Sequence, residues 1–208
     1  MNGIRKILFA TGNEGKMREI RSILADTGAE VRSLKEAGIS IQIAEDGTTF
    51  EENALIKARA VAAALEEKDC VVMADDSGLV IDALGGEPGI YSARYMGENT
   101  SYDRKNANLT ARMEGVSEEK RTARFTCAIA AVLPDGREFT TQASIEGRIG
   151  YRPEGEGGFG YDPIFYVPEF GKTTAQMTAE EKNRVSHRGK ALERMKEVLG
   201  ENEGFDCQ

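Results

Sequence analysis

The fold is decided by the stretch Thr11-Gly12-Asn13-Glu14-Gly15-Lys16, which lies between an apolar run and an amphipathic segment. The run before it, Ile7 to Ala10, is typical of a buried strand. After it, apolar residues recur at helical spacing, at Met17, Ile20, Ile23 and Leu24. We therefore predict that the chain leaves a strand, turns on small residues and enters a helix with Asn13 as its N-cap.

This turn has the composition of an anion-binding loop. Exposed backbone N–H groups at a helix start, a close approach permitted by glycine and the cation of Lys16 together favour a phosphate site. The alternative is an ordinary strand-to-helix turn with a solvated lysine. A Walker A loop is excluded, because only two residues separate Gly12 from Gly15 and Met17 stands where serine or threonine is needed.

Composition limits the classes of partner. With 208 residues, 40% of them hydrophobic, the chain can form one domain or two closely joined lobes. A net charge of −8 argues against a nucleic-acid partner. Three widely spaced cysteines fit reduced thiols. The chain shows neither a signal-peptide pattern nor an apolar run of membrane-spanning length, so we expect a cytoplasmic protein without a membrane partner.

Strand-to-helix units at the front of the chain and a long hairpin behind them predict a mixed α/β fold, a sheet with helices packed on it. Thr49 and Glu52 form a capping box before a strongly apolar helical stripe. The turn at 134–136 joins two strands as a hairpin. The other predicted elements are strands at 30–34, 70–74, 79–81, 123–133, 138–149 and 164–167 and helices at 102–113 and around 191–199. We predict one domain over 1–200 and a frayed tail over 201–208.

Two acidic pairs lie where elements are predicted to end. Asp75 and Asp76 follow a buried strand, and Glu45 and Asp46 precede a helix. Magnesium prefers carboxylates together with substrate phosphates, so either pair suits metal-assisted phosphoryl chemistry. The alternatives are a plain turn at Asp75–Gly78 and a solvated helix entry at Glu45–Asp46.

The loop Gly155-Glu156-Gly157-Gly158-Phe159-Gly160 matches the dinucleotide fingerprint by letter but not by context. That fingerprint must follow a strand and open a helix, whereas here Pro153 precedes it and Pro163 follows. We interpret it as a ligand-covering loop in which Phe159 and Tyr161 stack on a planar ring. Alternatively, the two aromatic rings only fill the core.

The single histidine, His187, is followed by Arg188 and preceded by Lys182. Without a second histidine or a recognisable nucleophile motif, a Ser-His-Asp mechanism is disfavoured. Donors at this position suit carbonyl or phosphate oxygens and would distinguish a 6-oxo purine from adenine. The alternative is a structural histidine.

Taken in order, these stretches resemble the inosine triphosphate pyrophosphatase family, whose bacterial members are dITP/XTP pyrophosphatases. The motifs that carry the resemblance are Thr11–Lys16, Phe50–Ala54, Ala74–Leu79, Pro88–Arg94, Gly157–Phe165 and Ser186–Arg188. They span nearly the whole chain.

The resemblance implies a magnesium-dependent hydrolase that cleaves ITP, dITP and XTP to the monophosphate and pyrophosphate. It also implies a cytosolic homodimer with a long central mixed β-sheet, flanked by helices, and two lobes around an active-site cleft. Asp76 would be the proton acceptor and a magnesium ligand, with Glu45 as a second ligand. The implied substrate-binding residues are Thr11, Gly12, Asn13, Glu14, Gly15, Lys16, Ser77, Phe159, Gly160, Tyr161, Asp162, Lys182, His187 and Arg188.

Two other functions are compatible with parts of this pattern. One is a related pyrophosphatase for modified pyrimidines, against which Ser186-His187-Arg188 speaks. The other is a non-catalytic sensor of nucleoside triphosphates, which intact carboxylates and Lys16 disfavour.

Overall fold

The computed structural model describes residues 5–203, in which seven strands form one mixed sheet accompanied by five α-helices. The strands are β1 (Lys6–Phe9), β2 (Glu30–Ser33), β3 (Val71–Ile81), β4 (Thr122–Val132), β5 (Glu138–Ile149), β6 (Phe165–Val167) and β7 (Lys172–Thr173). The helices are α1 (Glu14–Ile23), α2 (Phe50–Ala64), α3 (Tyr102–Arg112), α4 (Ala179–Val185) and α5 (His187–Glu203).

The sheet has the strand order β2-β1-β3-β4-β5-β6-β7. β1 pairs in parallel with both β2 and β3, whereas β6 pairs antiparallel with both β5 and β7. The turn between β4 and β5 closes through Leu133, whose N–H donates to the carbonyl of Arg137 at 2.9 Å. The predicted mixed α/β sheet and its hairpin are therefore confirmed.

The chain divides into two compact units. Unit 1 comprises 1–76, 127–143 and 187–208, and unit 2 comprises 77–126 and 144–186.

In unit 1 the alternation of side chains along the strands buries both faces of the sheet. Ile7 and Phe9 of β1 belong to a cluster with α1 and α5, whereas Leu8 and Ala10 belong to a cluster with α2. β3 alternates in the same way, with Val71 and Met73 in the first cluster and Val72 and Ala74 in the second. Continuous apolar runs of this kind are typical of parallel strands covered by helices on both sides.

Unit 2 has its own core. Leu109 and Met113 at the end of α3 pack with residues of β3 to β6, and Phe125 contacts Phe165 with ring centroids 4.4 Å apart. The buried guanidinium of Arg121 donates to three backbone carbonyls, of Met113, Ile149 and Gly150.

Helix starts follow the sequence closely, with one correction. Asn13 caps α1 by accepting from the N–H of Lys16, and Thr49 caps α2 by accepting from the N–H of Glu52, as predicted. The prediction that Glu52 completes the capping box by accepting from the N–H of Thr49 is wrong. Glu52 reaches Thr48 instead, accepting from its N–H at 2.6 Å and its hydroxyl at 2.8 Å.

Two predicted boundaries lie differently. The strand predicted to end at Ala74 continues through Asp75–Gly78 to Ile81, because both carboxylates have cationic partners inside the fold. At the other end of the chain, α5 runs to Glu203, three residues into the predicted tail of 201–208, and 204–208 lie outside the described residues. Within 5–203, no helix is both long and apolar enough to cross a membrane.

Candidate active site

The predicted anion-binding turn begins beside the two aspartates of β3. Phe9 is aligned with Met73 in the parallel pair, and the N–H of Ala10 donates to the carbonyl of Met73 at 2.7 Å. The turn 11–16 therefore leaves the carboxyl end of β1 next to Asp75 and Asp76. Crevices at the carboxyl ends of parallel strands are the usual ligand sites of α/β sheets.

Side-chain hydrogen bonds shape the turn itself. The hydroxyl of Thr11 accepts from the N–H of Asn13 at 3.2 Å, and the amide oxygen of Asn13 accepts from the N–H of Lys16 at 3.1 Å. A Cβ added at Gly12 would meet nothing within 4 Å. The space beside Gly12 is therefore open to a ligand, as a phosphate-binding turn requires.

Asp75 points to the face of the sheet that α1 and α5 cover. Its carboxylate lies 2.9 Å from Nζ of Lys16 and 3.2 Å from a guanidinium nitrogen of Arg188. Arg188, also buried, forms a second ion pair with Glu19 of α1. Glu19, Arg188, Asp75 and Lys16 thus form a chain of alternating charge that ends at the anion-binding turn.

Asp76 points to the opposite face, which α2 covers. Its two carboxylate oxygens accept from Nζ of Lys57 and from the side-chain amide of Asn53, each at 3.3 Å. Lys57 also contacts Glu45 at 3.2 Å. Strand geometry explains this division, since consecutive residues of a strand face opposite sides.

The two neighbouring aspartates differ in acidity. Burial would raise the pKa of Asp75, but the charges of Lys16 and Arg188 outweigh burial and hold that pKa well below its ordinary range. For Asp76 burial prevails over the opposing effect of Lys57, so its pKa lies above the ordinary value. Asp75 is therefore a fixed anion, whereas Asp76 has the properties of a proton acceptor.

The residues around Lys57 have the donor chemistry of a magnesium site. Glu45 and Asp76 each place a carboxylate oxygen within 3.3 Å of the same nitrogen atom, so the two predicted ligands converge on one position. Searching 5–203 finds no cluster of three or more His, Cys, Asp or Glu side chains suited to a metal. Two carboxylates completed by water and substrate phosphates are nevertheless a usual environment for Mg²⁺.

In unit 2, Asp162 is the centre of the glycine-rich loop. Its carboxylate accepts from Nζ of Lys182 at 2.6 Å, from the N–H of Phe159 at 2.8 Å and from the hydroxyl of Thr174 at 2.8 Å. Gly158 has φ of +72°, and a Cβ there would lie 2.2 Å from an oxygen of Asp162. The loop can therefore fold around this carboxylate only with glycine at 158.

The two aromatic residues of the loop have different environments. Phe159 is half-buried, with Nζ of Lys182 lying 4.7 Å from its ring centroid. Tyr161 is buried, its ring lies edge-on to Tyr102 with centroids 5.2 Å apart, and its hydroxyl donates to the carbonyl of Ser92. Tyr161 thus fills the core of unit 2, the alternative considered for both rings, whereas Phe159 remains suited to stacking.

The sequence-predicted site residues form two groups, one in each unit. Unit 1 brings together the 11–16 turn, Glu45, Asp76 and Arg188, and His187 begins α5 in the same unit. Unit 2 holds Ser77, the residues of 159–162 and Lys182 of α4.

Sequence reasoning assigned no role to Lys57 or Glu19. It included Asn53 only within a family motif and named Asp75 only as one of an acidic pair suited to a metal. Asn53 and Lys57 are four residues apart on α2 and border the apolar stripe of Ala54, Ala58 and Val61. Polar residues at helical spacing beside a buried stripe are the signal that could have revealed them.

The fold and these contacts define an α/β protein in which a lysine-bearing turn follows one parallel strand and lies beside the paired carboxylates of the neighbouring strand. The chain belongs to the Ham1 family, whose model matches residues 7–198. It is 48% identical over 201 residues to the dITP/XTP pyrophosphatase of Geobacillus kaustophilus, covering 95% of this chain and 97% of that one. With the Bacillus subtilis dITP/XTP pyrophosphatase it shares 46% identity over 196 residues, covering 94% and 98%.

Solved structures agree with the family assignment. The Staphylococcus aureus Ham1 protein superimposes with a TM-score of 0.83 at 40% identity, covering 95% of this chain and all of that one (100%). A HAM1 protein from Coxiella burnetii gives a TM-score of 0.82 at 38% identity, with coverage of 95% and 100%.

Proposed function

We propose that this protein hydrolyses the α–β phosphoanhydride of ITP, dITP and XTP, giving the nucleoside monophosphate and pyrophosphate, and that it requires Mg²⁺. The observation that carries the proposal is the meeting of the Lys16 turn, which follows β1, with Asp75 and Asp76 of β3. Curated relatives that align over more than nine-tenths of the chain are named dITP/XTP pyrophosphatases, which supports the same substrates.

Glu45 and Asp76 are the residues that would hold the magnesium ion. Their closeness supports this assignment, because two carboxylate oxygens that lie within 3.3 Å of one atom are near enough to each other to share a cation. Bound there, magnesium would neutralise phosphate charge and stabilise the charge that develops on phosphoryl oxygens.

The chain's own residues supply the remaining chemistry. Backbone N–H groups of 11–16 and Nζ of Lys16 bind the triphosphate oxygens, while Asp75, ion-paired with Arg188, holds Lys16 at the turn. The raised pKa of Asp76 suits it to accept the proton of the attacking water. The water oxygen bonds to the α-phosphorus, the bond to the α–β bridging oxygen breaks, and pyrophosphate leaves with that oxygen.

On the basis of the family resemblance, we assign base binding to residues 159–162, Lys182, His187 and Arg188. Phe159 offers a ring for stacking, and Asp162 fixes both the Phe159 backbone and the ammonium of Lys182. Gly160, Tyr161 and Ser77 belong to the proposed substrate-binding set through the family resemblance. Donors from Lys182, His187 and Arg188 would favour the 6-oxo group of hypoxanthine or xanthine over the amino group of adenine. Arg188 has a second role, since its guanidinium balances Asp75 and Glu19.

We further infer a cytoplasmic homodimer, on the basis of the family resemblance. Light scattering coupled to gel filtration tests the dimer, for which a mass of twice 22.7 kDa is expected. A mass of 22.7 kDa at micromolar concentration would contradict it.

A substrate panel tests the activity. The purified protein is incubated with ITP, XTP, GTP or ATP, with and without Mg²⁺, and the nucleotides are separated by ion-exchange chromatography. We expect IMP and XMP with pyrophosphate, only in the presence of metal, and much slower loss of ATP. Binding of ITP without any metal-dependent product would overturn the proposal in favour of a nucleotide sensor.

A further inference from the structure

We propose that Asn53 is the positioning residue of the metal-binding carboxylates, acting as a neutral bridge between the loop that carries Glu45 and the strand that carries Asp76. This inference rests on the proposed function, since it concerns the same site. It assigns a role to a side chain that acts through Asp76 and the loop of Glu45.

The contacts of Asn53 join two separate segments. Its side-chain oxygen accepts from the N–H of Gly47 at 2.9 Å, and its side-chain nitrogen donates to Asp76 at 3.3 Å. Gly47 lies two residues after Glu45, and Asp76 lies 23 residues after Asn53. The amide therefore fixes the position of the acidic loop relative to the aspartate of β3.

Only an amide satisfies both contacts. The N–H of Gly47 needs an acceptor, and the carboxylate of Asp76 needs a donor. A carboxylate at position 53 would face Asp76 with like charge. An apolar side chain at this fully buried position would leave the N–H of Gly47 without this acceptor and Asp76 with one donor fewer. Because the amide is neutral, it orients Asp76 without competing for the charge that a metal ion would neutralise.

Lys57 places the bridge beside the predicted metal position. It lies one helical turn after Asn53 on α2 and contacts Glu45 and Asp76, so both side chains of this helix span the same pair of segments. Lys57 does so by charge and Asn53 by directed hydrogen bonds. Asn53 thus sets the geometry in which the two carboxylates meet the ion, as hydrogen-bond partners of metal ligands do.

Gly47 provides an independent way to break the same bridge. A Cβ at Gly47 would lie 2.7 Å from the side-chain oxygen of Asn53 and 2.8 Å from Cβ of Glu52. The loop would have to move away from α2, although Asn53 itself is unchanged. Gly47→Ala should therefore reproduce the metal defect of Asn53→Ala without emptying a buried site.

The experiment measures metal binding directly and activity separately. Mn²⁺ binding to the nucleotide-free protein is titrated by electron paramagnetic resonance, and the Mg²⁺ concentration for half-maximal ITP hydrolysis is determined. The proteins are wild type, Asn53→Ala, Gly47→Ala and the control Asn108→Ala. Asn108 lies on α3, and its side-chain oxygen accepts a hydrogen bond from the hydroxyl of Tyr95. Replacing Asn108 therefore tests for a general effect of removing an amide side chain from a helix.

We expect both bridge variants to bind Mn²⁺ about 10- to 100-fold more weakly than wild type, because losing a hydrogen-bond partner of a metal ligand usually weakens metal binding by this factor. Both should need correspondingly more Mg²⁺ for half-maximal hydrolysis. The control should match wild type in both. Wild-type metal affinity in a folded Asn53→Ala or Gly47→Ala protein would overturn this inference. The proposed function would still stand in that case if wild type releases pyrophosphate with Mg²⁺, whereas wild type without metal binding would overturn both.

Discussion

Replacing Asp75 by asparagine tests the alternating charge chain of unit 1. The substitution preserves shape but removes the negative charge that lies 2.9 Å from Lys16 and 3.2 Å from Arg188. The substitution leaves the ion pair of the buried Arg188 with Glu19 in place but removes its ion pair with Asp75. The loss should therefore appear first in the stability of the fold.

The expected magnitude follows from burial. Breaking a buried ion pair by removing one partner costs about 3–5 kcal/mol. Glu19 still compensates Arg188 and Lys16 can reach solvent, so we expect the lower end, about 3 kcal/mol. At about 2–4 °C per kcal/mol for a chain of this length, the midpoint of thermal unfolding should fall by about 6–12 °C.

The effect should also depend on pH in a defined direction. The pKa of Asp75 is lower in the folded protein than the value of about 3.9 in an unfolded chain. Its charge therefore stabilises the fold fully above about pH 4, and this contribution is lost as the pH falls further. The difference between wild type and Asp75→Asn should be constant from pH 5 to 8, at about 3 kcal/mol, and should shrink below about pH 4.

Urea unfolding followed by circular dichroism, between pH 3 and 8, measures the difference in unfolding free energy and its pH dependence. A thermal scan with the same signal measures the midpoint. Asp69→Asn is the matched control, because Asp69 pairs with Lys6 on the surface and its loss should leave the midpoint unchanged. An Asp75→Asn protein within 1 kcal/mol of wild type at pH 7 would refute the reasoning, as would a difference that does not shrink in acid.

Four further substitutions test the site. Asp76→Asn should keep its fold and its affinity for ITP but lose about 10²- to 10⁴-fold in kcat, and full turnover would remove Asp76 from catalysis. Lys57→Met removes the cation beside Asp76 and so raises the pKa of Asp76 further. The acid limb of the kcat/KM profile should therefore move to higher pH, and Lys57→Arg should restore its position. An acid limb that does not move would contradict the assignment of Asp76 as proton acceptor. Gly158→Ala should raise KM for ITP, because the added Cβ would displace Asp162. The control Gly115→Ala has a similar φ of +75° but open space around the added Cβ, so it should show only the backbone strain. Equal KM values for the two variants would contradict the role of the loop in substrate binding. Arg188→Ala should lower the ratio of ITP to ATP turnover, and an unchanged ratio in a folded protein would move base recognition to other residues.

The strand–turn–helix unit at the start of the chain could be predicted because its signals are local. Apolar alternation, small turn residues and the Asn13 cap all occur within about twenty residues, and each predicts the same structure. The hairpin of β4 and β5 was predicted for the same reason.

The course of β3 was mispredicted because Asp75 and Asp76 are poor strand formers by local preference. Their partners come from distant segments. Arg188 is 113 residues away from Asp75, and Lys57 is 19 residues away from Asp76. Pairing of this kind overrides local preference, and no pattern within a short window reveals it.

The roles of Asn53 and Lys57 were missed for a related reason. On the sequence they resemble solvated residues of an amphipathic helix, yet both are buried against β3. Tyr161 shows the converse, since its motif indicated ring stacking whereas its hydroxyl and ring are used inside unit 2. The family motifs thus indicated the segments of the proposed site, and the packing of α2 on β3 defined which of their atoms meet.

The most direct test of the proposed reaction is hydrolysis of ITP with Mg²⁺ in water enriched in ¹⁸O, followed by mass spectrometry of the products. Attack at the α-phosphorus predicts one ¹⁸O atom in IMP and none in the pyrophosphate released. IDP with labelled orthophosphate, or IMP without label beside labelled pyrophosphate, would contradict the placement of water and phosphates at Asp76 and Lys16.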